Sequence, residues 1–87
     1  MKLSKLKNGD IVIIKWMDSY STARWLTEDE AKHWIKTLLP CVSIGTVLEI
    51  DKVFVTLYSD KAPDEIGRIM SIPKNVIMKI KLLKQGK

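Results

Sequence analysis

The sequence predicts a mainly β domain with one helix, closing as a five-stranded barrel with the helix inserted between strands 1 and 2. Three observations predict it. Runs rich in β-branched and aromatic residues recur at 11–16, 44–50, 53–58, 68–72 and 76–83, separated by turn signals. A capping-box sequence, Thr27-Glu28-Asp29-Glu30, opens the one stretch with helical periodicity. The chain has 87 residues, enough for one core and not two. Five strands in so small a domain leave edges, and closing the sheet removes most of them.

Asn8-Gly9-Asp10 is a turn signal, and Ile11-Val12-Ile13-Ile14-Lys15-Trp16 follows as the first strand. Residues 17–26 are polar and aromatic and read as an exposed loop. The helix is expected over about 28–39. There the Thr27 hydroxyl can take a free N–H and Glu30 can reach back, while Ala31, Trp34, Ile35, Leu38 and Leu39 share a face. Acids lead this segment, Lys32 and Lys36 follow, and Pro40 stops it. In the second strand Ile44, Thr46, Leu48 and Ile50 point one way and Gly45, Val47 and Glu49 the other. Asp51-Lys52 turns the chain, and Val53, Val55 and Leu57 are expected to face inward in the third strand. A polar loop over 59–67 precedes a short fourth strand that Pro73 breaks. The last strand carries Met78, Ile80 and Leu82 on one face and Lys79 and Lys81 on the other.

The formal charge is +5, and its placement is uneven. Lys2, Lys5 and Lys7 open the chain, Lys79, Lys81, Lys84 and Lys87 close it, and no acid lies among them. The intervening residues hold eight basic and all ten acidic side chains, a net −2. The domain therefore reads as 1–87, with basic ends at 1–7 and 79–87 that make one positive patch if the fold brings them together. No run approaches the ~18 apolar residues that cross a bilayer, so no membrane role is expected. No apolar stretch follows the opening lysines, so no signal peptide is expected either. The single cysteine, Cys41, excludes an internal disulfide and suits a reducing cytoplasm.

Gly67-Arg68-Ile69-Met70-Ser71-Ile72-Pro73-Lys74-Asn75-Val76 resembles the end of an SH3 domain, where a strand runs into a 3₁₀ turn and then the closing strand. Lys7-Asn8-Gly9-Asp10-Ile11-Val12 is similar to the first strand of many SH3-like barrels. The resemblance implies an SH3-like barrel over most of 8–83, with the helix in the long loop after the first strand. The middle strand opens Val53-Phe54 where peptide-binding SH3 domains carry a Trp pair, so binding of proline-rich peptides is not implied. Trp16-Met17-Asp18-Ser19, Trp25, Ile44-Gly45-Thr46-Val47 and Ile72-Pro73-Lys74 together resemble short phage and prophage proteins of unknown function. That resemblance implies a virus-related origin, a host-cell cytoplasmic location and no specific activity.

The densest polar-aromatic cluster is Trp16, Asp18, Ser19, Tyr20, Arg24 and Trp25. As a recognition surface, its rings stack on a partner, Asp18 and the hydroxyls form hydrogen bonds, and Arg24 meets an anion. As structure, Trp16 and Trp25 pack the helix on the barrel, and Asp18 and Ser19 cap a turn. Both readings stand at this point. Lys5, Lys7, Lys79, Lys81 and Lys84 are the candidate phosphate contacts of an alternative, a basic nucleic-acid-binding accessory protein. No aromatic residue is interleaved among them, which counts against single-strand binding. His33 and Cys41 are alone of their kinds, and Asp64-Glu65 is a loop pair with nothing to shift its acidity. No metal site, cofactor or catalytic constellation is expected. The sequence thus points to a small non-enzymatic binding module that recognises a host protein or a small anionic ligand, with counter-defence the sharpest form of that reading.

Overall fold

The Asn8-Gly9-Asp10 turn is fixed by its own side chain. In the computed structural model, which describes residues 2–19 and 21–86, Asp10 is only 3% exposed. Its carboxylate accepts the Lys7 N–H at 2.9 Å and the Gly86 N–H at 2.8 Å. Gly9 has φ of +91°, a backbone conformation that glycine adopts without penalty. Gly86 lies so close that a Cβ there would stand 2.5 Å from the Gly9 carbonyl carbon. The two ends of the chain are thereby tied together across 76 residues of sequence.

From this knot the chain runs into strand β1 (Ile11–Trp16), helix α1 (Glu28–Lys36), β2 (Cys41–Ile50), β3 (Phe54–Lys61), β4 (Ile66–Pro73) and β5 (Ile77–Lys84). Short 3₁₀ turns occupy Leu3–Lys5 and Lys74–Val76. The expected composition of the fold is present: five antiparallel strands form one sheet, and one helix lies between β1 and β2. Sheet order is β4-β3-β2-β1-β5, so the first and last strands are neighbours. Among the described residues no ladder joins β4 to β5, and the sheet is open.

Alternation places one face of every strand on a single core. Val12 and Ile14 come from β1, Val47 from β2, Val55 and Leu57 from β3, Ile72 from β4 and Ile80 from β5, with Leu6 added from the N-terminal segment. Of the two faces of β2, the inner one carries Gly45 and Val47. A register shift between Val47 and Glu49 then returns Ile50 to the core side, where it packs at the margin. Val53 was expected to face inward with Val55 and Leu57, but it precedes the strand and is exposed. The reason is Asp51, whose carboxylate accepts the N–H groups of both Val53 (2.8 Å) and Phe54 (2.7 Å), holding Val53 in the turn.

Several element boundaries differ from expectation. The helix ends at Lys36 rather than Leu39: the Thr37 hydroxyl donates to the Trp34 carbonyl at 2.6 Å, and Pro40 disfavours helical backbone at Leu39. Strand β2 consequently starts at Cys41, directly opposite Trp16. Most of the expected loop over 59–67 is strand, because β3 and β4 continue to the pair Lys61↔Ile66 with Pro63 and Asp64 at the tip. Pro63 suits the first corner of a tight turn.

The helix contributes nothing to the core. None of its residues is buried, and no described residue from Lys15 to Ile44 is buried. The molecule is accordingly elongated, 52 × 26 × 22 Å, with a Cα radius of gyration of 16.1 Å. A spherical chain of this length would have about 12 Å.

Candidate functional site

The segment between β1 and β2 is an arm, and its root is a tryptophan. Trp16 follows Val12 and Ile14 on the inner face and packs against the core. Its indole N–H donates to the Ser43 hydroxyl at 3.0 Å, and that hydroxyl donates to the Met70 sulfur at 3.4 Å. Trp16 is therefore structural, anchoring the last pair of β1 and β2. Asp18 and Ser19 are exposed, and the Asp18 carboxylate accepts the Ser19 N–H at 2.8 Å, a local turn. Tyr20 lies outside the described residues. Arg24 is exposed, its N–H bonded to the Thr22 hydroxyl at 3.2 Å.

Trp25 is 100% exposed. A side chain with its whole surface in water packs on nothing, so Trp25 does not pack the helix on the sheet. The loop cluster divides in two: Trp16 belongs to the sheet, while Arg24 and Trp25 belong to the approach to the helix. Arg24 instead shares a shallow groove with Leu26, Asp29, Glu30, His33, Trp34 and Thr37. Two carboxylates line that groove against one guanidinium.

The helix itself is well made. Glu30 N–H donates to the Thr27 hydroxyl and the Thr27 N–H donates to the Glu30 carboxylate, each at 3.1 Å, completing the capping box. The Thr27 N–H, and then its hydroxyl, hold the Glu30 carboxyl below the usual carboxylate range. Ile35 and Leu39 stand mostly exposed on the arm.

The two chain ends meet at the Asp10–Gly86 bond, in a cleft that holds none of Lys79, Lys81 and Lys84. Lys5 and Lys7 line one small cleft with Asp10, Leu82, Gln85 and Gly86. The Gly86 N–H, and after it the Lys7 N–H, hold the Asp10 carboxyl below its ordinary value. On the outer face of β1 and β5, Lys15 stands opposite Lys79, Ile13 opposite Lys81 and Ile11 opposite Lys84. Lys15 is a member of this row that sequence reasoning missed. The signal was the uninterrupted run Ile11-Val12-Ile13-Ile14, which is too apolar for a strand with one face in water and so marks the outer face as unusual.

His33 is exposed on the helix, Cys41 is half-buried opposite Trp16, and Asp64 and Glu65 are exposed at the β3–β4 tip. No His, Cys, Asp or Glu group among the described residues is placed to hold a metal ion. No helix among them is long and apolar enough to cross a membrane. Comparisons of the chain with family models, curated proteins and solved structures each return no match.

Proposed function

We propose that this protein is a small non-enzymatic binding module whose arm, led by Trp25, engages a protein partner. The observation that carries the reading is the full exposure of Trp25 beside a helix that buries nothing. An exposed indole costs solvation and contributes nothing to this core, whereas tryptophan is the residue type most enriched where binding energy concentrates. A protein partner is favoured over a small anion because the groove beside Arg24 carries Asp29 and Glu30. The supporting scaffold is read as an SH3-like barrel. Strand order, the pairing of first with last strand, the single core shared by all five strands and the 3₁₀ turn between β4 and β5 all support that reading.

The test uses quantitative co-purification from the native cell with three tagged forms: wild type, Trp25→Ala and, as an exposed control away from the arm, Lys52→Ala. A protein enriched with wild type and Lys52→Ala but lost with Trp25→Ala is the expected result. No Trp25-dependent partner, with all three forms folded, removes the proposal.

A further inference from the structure

Strand β2 has two neighbours, and they do not cover the same stretch. It pairs with β1 from Cys41 to Thr46 and with β3 from Thr46 to Ile50. Strand β3 nevertheless continues past Tyr58 to Lys61, paired there with β4. The two strands therefore part at Thr46 and leave a fork beside the root of the arm. They close tightly at its apex, where a Cβ on Gly45 would stand 2.9 Å from the Tyr58 carbonyl oxygen.

The fork exposes one edge of β2. The Val47 carbonyl accepts the Gly9 N–H and the Val47 N–H donates to the Asp10 carbonyl, each at 2.8 Å, so the backbone of Val47 points to the β1 side. Backbone direction alternates along a strand, so Val42 and Ile44 turn their N–H and C=O groups the other way, into the fork. Among the described residues no strand pairs with them there. The Ser59 hydroxyl reaches the Ile44 carbonyl at 3.4 Å, a long contact.

A cavity of about 340 Å³ lies in the fork. Leu57, Ile69 and Met70 give it apolar walls, and Ser43 and Ser59 add hydroxyls. Arg68 alone among its lining residues is charged, and Asp60 pairs with its Nε at 3.2 Å. Arg68 also has φ of +52°, a left-handed backbone that residues with side chains adopt at a cost and that recurs at ligand sites. An open strand edge beside an apolar cavity of balanced charge is matched by an extended peptide. Its main chain pairs with the edge, and an apolar side chain enters the cavity. An anion or a nucleic acid meets no unbalanced cation in this cavity. The outer edges of the sheet suit a peptide less well, since β5 is guarded by Lys79, Lys81 and Lys84 and β4 ends at Pro73.

We infer that the fork between β2 and β3 receives an extended, uncharged segment of the partner protein as a strand added to β2. This rests on the reading that the partner is a protein, and it sets a second contact at the foot of the arm, apart from Trp25.

Selection from a random peptide library displayed on phage, against the purified full chain, tests it. Enriched peptides are expected to be uncharged, with apolar residues at alternate positions. A synthetic peptide of the enriched sequence should bind wild type and Trp25→Ala equally. It should bind Val42→Pro at least ~10-fold more weakly, because proline removes an N–H that faces the fork. That N–H makes no ladder bond to β1, so the sheet is retained, and circular dichroism checks it. Ser59→Phe fills the cavity from an exposed position and should weaken binding likewise. Methylating alternate amide nitrogens of the peptide should abolish binding in one of the two phases and spare it in the other, a result that needs no protein variant. No enrichment, enrichment of acidic peptides, or binding indifferent to both variants and both methylation phases overturns the inference. Peptides lost with Trp25→Ala but indifferent to Val42→Pro overturn it in favour of the arm alone. Trp25-dependent co-purification is scored separately, so either reading can fail without the other.

Discussion

Two tryptophans flank the loop after β1, and they meet opposite fates. Trp16 ends an alternating strand and is held by Ser43, whereas Trp25 sits one residue before Leu26 and rests on nothing. Trp16→Ala should lower stability by about 2–4 kcal/mol, the lower part of the range for large core truncations because the ring is half-buried. Trp25→Ala should stay within about 0.5 kcal/mol of wild type. Urea midpoints compare them, and equal losses would contradict these placements. Asp10 carries the chain closure in the same way. Its carboxyl is depressed, as are those of Glu30 and of Asp51, where the Phe54 and Val53 N–H groups hold the charge. A carboxyl depressed in the fold stabilises it at pH values above the ordinary carboxylate range. That stability is lost as pH falls through and below that range, because the unfolded chain takes up protons first. Melting temperature should therefore fall on acidification below about pH 5. Asp10→Asn should be less stable at neutral pH and show a shallower acid dependence. An unchanged profile would mean that the Gly86 and Lys7 bonds contribute nothing.

The capping box shows what an element can reveal from sequence alone. Thr27 and Glu30 are three residues apart and need no tertiary information, so the start of α1 was legible. Alternation likewise placed Val12, Ile14, Val55, Leu57 and Ile80. The failures share a physical cause: each depends on a partner distant in sequence or on a turn that side chains decide. The extension of β3 through Ser59, Asp60 and Lys61 reads as polar loop because the strand is exposed there, and exposed strands lose their apolar signature. The bulge near Leu48 and the capture of Val53 by Asp51 shift which residues face inward. The Asp10–Gly86 closure spans nearly the whole chain and leaves no local mark beyond a turn signal. Because α1 is anchored by its cap and not by the core, Thr27→Ala should cost about 1 kcal/mol of helix stability. That loss should appear as reduced helicity and faster proteolysis within 17–40, with the global urea midpoint unmoved. A midpoint that falls in step with helicity would place the helix in the cooperative unit.

For the whole molecule, the sheet and the arm divide the work. Among the described residues every buried apolar one lies in the strands or in the N-terminal segment at Leu6, and the stretch from Lys15 to Ile44 supplies none. Such an arrangement keeps the scaffold's stability separate from whatever the arm touches, so the arm can vary its surface without unfolding the sheet. The proposed binding role stands on that separation. Residue-resolved amide hydrogen exchange on dilute protein tests it most directly, since each amide reports the free energy of its own opening. Amides of β1, β2 and β3 around Val12, Val47 and Val55 should exchange only through global unfolding, while those of α1 from Ala31 to Lys36 exchange far sooner through local fraying. Helix amides as protected as those of the core strands would contradict it, because the helix would then be packed in the fold and the arm would be structure rather than a binding element.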